Sequence, residues 1–268
     1  KAGGGNVSGF AGWVTDSVEM VHRNLLHIRR TPELLLDVTI SPIMFVLLFS
    51  VVFGGAINPG SQGGASRSYT NFLMAGIFVQ TVAFAGVYTG VLLANDLQKG
   101  MIDRFRSLPM AQSSVLTGRT LTDLLRAALA VAIMWIVGLI VGFRPAGGVG
   151  GSAAAIGIIL LFGFAMSWIG VAAGAAVRTP EALQGIVFTI VFPLTFVSSA
   201  FVPTETLPGW LQPFAENQPF TVVVNAVRDL VLGTHSYNAL VPSLLWSAGM
   251  LIVALPLGSW LYNRRTTQ

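Results

Sequence analysis

The 268-residue sequence has no cysteine, only two lysines and little charge of any kind: Asp, Glu, Lys and Arg together make up 10%, against about a quarter in an ordinary soluble domain. The lack of cysteine excludes disulfides, thiolate metal sites and cysteine nucleophiles, and says nothing about redox compartment. With lysine only at Lys1 and Lys99, no G-x-x-x-x-G-K-[ST] phosphate loop can be written. H-E-x-x-H and G-x-S-x-G are also missing. His22 and His27 lie together in one N-terminal segment and His235 in a distant outer one, so no metal cluster is expected. If the chain takes part in an active process, its energy must come from another subunit. Low charge in a chain that is 53% apolar, with a mean hydropathy of +0.72, excludes both a soluble globular enzyme and a disordered chain. The chain opens on Lys1, so a start that is cut or disordered is expected.

What is present is long apolar runs. A helix needs about 20 apolar residues to cross a bilayer. Six stretches are read as spans: 38–57, 72–94, 121–143, 153–177, 185–202 and 239–262. The fifth is short, and Pro193 should kink it. No signal peptide is expected, because 37 residues precede the first span and no small-residue cleavage pattern follows it. The fold class is therefore an all-α integral membrane protein with six transmembrane helices.

Loop charges set the orientation. With a cytoplasmic N-terminus, twelve basic residues lie inside, and only Arg67, Arg144 and Arg228 lie outside. Both termini are then cytoplasmic. The net charge of +4 is a topology signal and not a nucleic-acid footprint. The connectors 58–70 and 144–152 are Gly/Ser-rich outer loops. Glycines pair at i, i+4 as Gly86/Gly90, Gly138/Gly142 and Gly170/Gly174. Such small-residue pairs let helices approach closely, more often within a chain than between chains. Asp123 and Arg126, three apart at the cytoplasmic end of span three, can pair.

Three segments are not spans. Val14, Val18, Val21, Leu25 and Ile28 form one helical stripe. Residues 12–30 thus read as an amphipathic helix lying on the inner membrane face, or as a polar helix packed on a soluble partner. The longest cytoplasmic loop holds residues 96–109, in which Met101, Phe105 and Leu108 share a face and Pro109 stops the helix. It suits either docking into a groove on another protein or a solvated hairpin whose basic residues hold topology. The outer segment 204–232 carries Trp210, Leu211 and Phe214 and then a short apolar run, Val222–Leu232, between prolines. Pieces of about ten apolar residues beside spans read as re-entrant helices, here burying Trp210, Phe214, Val223 and Val227, or as a small outer cap.

Polar, uncharged residues enter the spans: Gln80 and Thr81 on span two, and Thr195, Ser198 and Ser199 on span five beside Phe192 and Phe196. An aromatic wall dotted with hydroxyls could line a path for an amphipathic or lipid-like substrate. For any one of these residues, ordinary interhelix hydrogen bonding is the favoured reading. No carboxylate sits at mid-membrane in any span, which weakens a proton- or sodium-coupled carrier.

Three motifs carry a resemblance. His27-Ile28-Arg29-Arg30-Thr31-Pro32-Glu33 leads to Asp37 and ends in Phe53-Gly54-Gly55. Lys99-Gly100-Met101-Ile102-Asp103-Arg104-Phe105-Arg106-Ser107-Leu108-Pro109 continues to Gly118-Arg119. Leu207-Pro208-Gly209-Trp210-Leu211-Gln212-Pro213 runs through Asn217-Gln218-Pro219 to Arg228. Together these resemble the membrane subunits of type-2 ABC exporters, of the daunorubicin/doxorubicin-resistance type. One departure is Asn95-Asp96, where the family often carries Glu at the first coupling position. The resemblance implies a permease without catalytic residues or a cofactor of its own, moving amphipathic drugs, antibiotics or lipids out across a bacterial cytoplasmic membrane. It implies two copies of a partner ABC ATPase that carry the ATP and Mg, and a second permease chain, identical or homologous. The N-terminal helix would be the connecting helix. Arg104, Phe105, Arg106, Ser107, Leu108 and Pro109 would form the coupling helix, and Trp210 and Phe214 would belong to the outer gate. An ATP-independent secondary carrier or channel is the alternative.

Overall fold

The computed structural model describes residues 40, 43, 44, 46–48, 64–99, 112–234 and 236–266. Among them every regular element is helical: α1 (Gly64–Gln98), α2 (Gln112–Val141), α3 (Gly148–Ala176), α4 (Pro180–Ile186), α5 (Phe192–Phe196), α6 (Gln212–Asn217), α7 (Pro219–Leu232) and α8 (Leu240–Thr266). A π turn, Val187–Val191, joins α4 to α5. Short 3-10 turns lie at Thr204–Thr206 and Tyr237–Ala239.

Four helices are long and apolar enough to cross a membrane: Thr70–Gln98, Thr120–Val141, Gly148–Ala176 and Leu240–Arg265. They correspond to predicted spans two, three, four and six. Span one lies largely outside the described residues. Within it Ile40, Ile43, Met44, Val46 and Leu47 are helical, and Val46 is buried in the main core. The fifth span differs from expectation. Its apolar helix is Pro180–Phe196, which starts earlier than 185 and stops well short of 202. At 1.5 Å per residue its 17 residues reach about 25 Å, and the chain turns at residues 197–201, where side chains of the α7 segment bond its backbone. Pro193 perturbs the helix through the π turn just before it: the Phe192 N–H bonds Val187 O, five residues back, a common way for a helix to absorb an irregularity.

Three boundaries also move. Helix α1 begins at Gly64, inside the expected connector 58–70. Helix α2 begins at Gln112 rather than 121, and α3 at Gly148 rather than 153. Hydropathy marks only the apolar part of a helix: polar residues extend α1 and α2 past it, and the Gly-rich run 148–152 extends α3.

Helices α1 and α3 form the centre, α2 and α8 flank them, and α7 lies across α1, α3 and α8. Helix α3 is apolar on every side, as a central helix is. The α1–α3 seam is built on glycine. A Cβ on Gly90 would collide with Gly170 O and one on Gly174 with Gly90 O, while one on Gly170 would lie 2.7 Å from Gly86 O. The predicted small-residue pairs of spans two and four thus meet each other inside the chain. Gly138 packs on Met74 of α1, whereas Gly142, with φ +115°, ends α2. Across α1 and α2, Phe78 stacks on Trp135 with centroids 5.1 Å apart. Thr89 Oγ1 donates to Asp123 Oδ2 at 2.8 Å, and Asp123 pairs with Arg126 at 3.6 Å. The outward faces of α2 and α8 are apolar, with Ile140, Leu245 and Ile252 strongly exposed, as lipid-facing helices require.

The helix directions give the bundle two unlike sides. The α2–α3 connector, α6, α7 and the start of α8 share one side, tied by a Gly147 N–H bond to Val231 O of 2.8 Å. The end of α8 meets the end of α3 on the other, where Arg265 donates to Ala175 O and Val177 O. Among the described residues the first side holds Arg67, Arg144 and Arg228. The second holds Lys99, Arg119, Arg126, Arg178, Arg264 and Arg265, the asymmetry expected from the loop charges.

Candidate functional site

The arginine-poor end of the fifth apolar helix is held by a buried polar network. Helix α7 supplies most of the donors. It starts at Pro219, whose fixed φ suits a first helical turn, and ends at Gly233 in the left-handed conformation. One face buries Phe220, Val223, Val224, Val227 and Val231, with Phe220 edge-on to Phe162 of α3. That packing fixes the opposite face, which carries Gln218, Thr221, Asn225 and Arg228, against residues 194–200.

Gln218, Thr221 and Arg228 bond backbone left open where the helix unwinds, and Asn225 accepts from the Arg228 guanidinium and the Ser199 hydroxyl. Gln218 Nε2 donates to Leu194 O at 3.0 Å and Val197 O at 2.8 Å. The Ser199 N–H donates to Thr221 Oγ1 at 3.2 Å. Arg228 donates to Ser199 O at 2.6 Å, to Asn225 Oδ1 at 2.8 Å and, at a longer 3.4 Å, to Phe72 O on α1. Its guanidinium lies 3.7 Å from the Phe72 ring centroid. Ser199 Oγ closes the circuit onto Asn225 Oδ1 at 2.7 Å. A helix end whose carbonyls have no successor needs such partners when buried. The close fit against α1 also requires Gly76, where a Cβ would overlap Ala200 O.

The predicted path residues separate into two groups. Gln80, Thr195, Ser198 and Ser199 are buried and hydrogen-bonded within the chain. Gln80 Nε2 donates to Thr195 Oγ1 at 3.3 Å, Thr195 Oγ1 to Phe192 O and Ser198 Oγ to Thr195 O. Thr81 is half-buried on α1. Phe192 and Phe196 lie on the opposite, exposed face of the helix, each 42% exposed, with Phe188 at 66%. At i, i+4 spacing they form a ladder: Phe188–Phe192 6.2 Å, Phe192–Phe196 4.8 Å, and Phe196 stacked on Phe201 at 5.1 Å. The hydroxyls of Thr195 and Ser198 turn inward, bonded to backbone and Gln80, and leave the outward face to the phenylalanines with Ile186, Thr189 and Ile190.

The hairpin of α6 and α7 also departs in part from expectation. Val223 and Val227 are fully buried as expected, but Trp210 is 80% exposed and Phe214 more than half exposed. Gln212 ties the start of α6 back to the preceding 3-10 turn by donating to Leu207 O at 2.9 Å and Glu205 O at 3.2 Å. That leaves the two aromatics projecting from the hairpin. The connector glycines are also more than loop glycines: a Cβ on Gly147 or Gly151 would run into Leu230 O, so they let α7 seat on the start of α3. The amphipathic segment 12–30 and the coupling residues Arg104, Phe105, Arg106, Ser107, Leu108 and Pro109 lie outside the described residues. Among the described residues no group of His, Cys, Asp and Glu could hold a metal ion.

Sequence reasoning missed the roles of Gln218, Thr221, Asn225 and Arg228. The available signal was an Asn and an Arg three apart within the apolar run VVVNAVRDLVL, where polar groups need partners.

The family model for the ABC-2 type transporter, membrane part, matches residues 17–232. The chain is 35% identical over 252 residues to the daunorubicin resistance ABC transporter permease protein DrrB1 of Streptomyces coeruleorubidus, covering 94% of this chain and 87% of that protein. It is 25% identical over 222 residues to the doxorubicin resistance ABC transporter permease protein DrrB of Mycobacterium tuberculosis, covering 80% and 77%.

Proposed function

The chain belongs to the ABC-2 type transporter family as a membrane permease component of an ABC exporter, and from that premise we propose that it exports amphipathic drugs, antibiotics or lipids across a bacterial cytoplasmic membrane. Two copies of a separate ABC ATPase, loaded with ATP and Mg, energise it. The arginine-rich side faces the cytoplasm, together with both termini. Arg104, Phe105, Arg106, Ser107, Leu108 and Pro109 dock on the ATPase. A second permease chain, identical or homologous, faces the phenylalanine ladder.

The observation that carries this reading is the two-sidedness of the fifth apolar helix. Its polar face is bound to α1 and α7, and its outward face presents Phe188, Phe192 and Phe196. A flat apolar wall with few fixed polar groups suits ligands that share flatness and hydrophobicity more than a hydrogen-bonding pattern. Gln80, Thr81, Thr195, Ser198 and Ser199 serve the path by holding that wall. Trp210 and Phe214, projecting on the outer side, belong to the gate beyond it. When the ATPases close, the coupling segment moves, and the fifth helix and α7 shift as one body because four side chains of the α7 segment grip its end.

The test is co-purification followed by transport. A tagged chain, mildly solubilised from native membranes, should bring a stoichiometric ATPase. Inverted vesicles should take up an anthracycline only with ATP, and Phe192→Ala should raise the substrate concentration needed for half-maximal uptake without lowering chain abundance. A folded chain that purifies without an ATPase and transports without ATP would instead establish a carrier or channel.

A further inference from the structure

Between helices α3 and α8 lies an apolar groove of about 720 Å³. Its lining includes small residues on both helices: Ala172, Ala173 and Ala176 on α3 and Gly249 on α8. Its ends are set by Trp246 and Leu261, 15 residues apart, or about 22 Å along the helix. That exceeds one leaflet's share, about 15 Å, of the hydrocarbon thickness. Every lining residue is apolar, and α8 is otherwise among the most outward-facing helices of the bundle.

The groove ends at a cluster of positive charge. Arg265 donates to Ala175 O and Val177 O, which brings the Arg264–Arg265 pair beside Arg178. The Arg264 guanidinium lies over Trp260 at 5.4 Å from the ring centroid, and Arg178 is exposed. Glu181 is the one carboxylate within a few residues of this corner in the sequence. Three arginines at the membrane–water boundary, with an apolar slot running from them toward the bilayer centre, match the two halves of one molecule. Basic pockets between spanning helices on the cytoplasmic side recruit anionic headgroups.

We infer that this groove binds an anionic phospholipid of the arginine-side leaflet, its phosphate at Arg178 and Arg264 and one acyl chain between α3 and α8. The inference rests on the helices crossing a membrane, and not on the export function. Charge also argues against a second copy of the chain as the occupant. A two-fold interface apposes the same patch on both chains, and here it would bring two arginine clusters together.

The experiment uses the full chain in phosphatidylcholine nanodiscs doped with dibrominated phosphatidylglycerol, or with dibrominated phosphatidylcholine. Quenching of Trp246 is read as the difference between wild type and Trp246→Phe. Half-quenching is expected at a mole fraction about fivefold lower for the glycerol lipid per arginine engaged. Arg178→Gln with Arg264→Gln should bring the two curves together. Gly249→Leu should abolish the preference with the arginines intact, since a side chain there meets no other atom and fills the slot. Identical curves in the wild type, a preference that survives either variant, or a Trp246 that neither lipid quenches would each overturn the site. The last outcome would show the groove covered by protein. Because uptake of an anthracycline is not the readout, failure here leaves the exporter reading standing, and the reverse also holds.

Discussion

Replacing Arg228 by Met removes the charge that joins α7, α1 and the end of the fifth apolar helix while keeping much of the side-chain volume. Two of its hydrogen bonds are short, to Ser199 O and Asn225 Oδ1. Hydrogen bonds to a charged group contribute about 1.5–3 kcal/mol each. The third, at 3.4 Å to Phe72 O, is near the outer limit and adds little. Contact with the Phe72 ring adds about 1 kcal/mol. Against this, Arg228 Nε is buried with no hydrogen-bond partner among the described residues, which lowers the net contribution. The expected loss is roughly 3–5 kcal/mol, the range for breaking a buried charged network from one side. At about 2–4 °C per kcal/mol, the apparent melting temperature should fall by roughly 6–20 °C. The assay is intrinsic-fluorescence melting in one detergent at one protein concentration. Arg228→Lys should lose about half as much, because a single ammonium cannot reach acceptors on two sides. Ser199→Ala removes only the hydroxyl bond to Asn225 and should cost about 1 kcal/mol. A methionine variant melting within about 2 °C of wild type, or a lysine variant worse than methionine, would refute the reasoning.

Gly90→Leu should abolish the monodisperse peak in size-exclusion chromatography, since its Cβ collides with the backbone of Gly170, whereas Gly157→Leu, whose Cβ meets nothing, should leave it intact. Arg106→Glu and Leu108→Asp are expected to lose the co-purifying ATPase and ATP-dependent uptake together at unchanged chain abundance; full retention of both would remove the coupling assignment. A tag after Gly60 should be labelled from outside intact cells and one after Gln268 only after permeabilisation, and the opposite pattern would invert the topology.

The parts of the fold legible in the sequence were those governed by one-dimensional patterns. Apolar runs located α1, α2, α3 and α8, and the i, i+4 glycines announced the α1–α3 seam. The Asp123–Arg126 pair followed from its spacing. What was not legible depended on which face of a helix meets a neighbour. Thr195, Ser198 and Ser199 share a segment with Phe192 and Phe196, and only the packing of α7 decides that hydroxyls turn in and rings turn out. Trp210 and Phe214 are apolar enough to suggest burial, yet α6 is too short to form a core of its own and leaves both outward. The shortness of the fifth helix was visible, but what holds its end was not, because α7 lies more than twenty residues downstream.

The grip on the fifth helix works through carbonyl oxygens: Gln218 holds those of Leu194 and Val197, and Arg228 holds that of Ser199. A carbonyl is the same whatever side chain its residue bears. The exposed face at Phe188, Phe192 and Phe196 can therefore be rewritten without loosening the anchor, provided the helix persists. A scaffold fixed by backbone and a surface left free in identity is how one architecture acquires new specificities by single substitutions. Mutational tolerance should accordingly be high on that face and low at Gln218 and Arg228, only a helix diameter away.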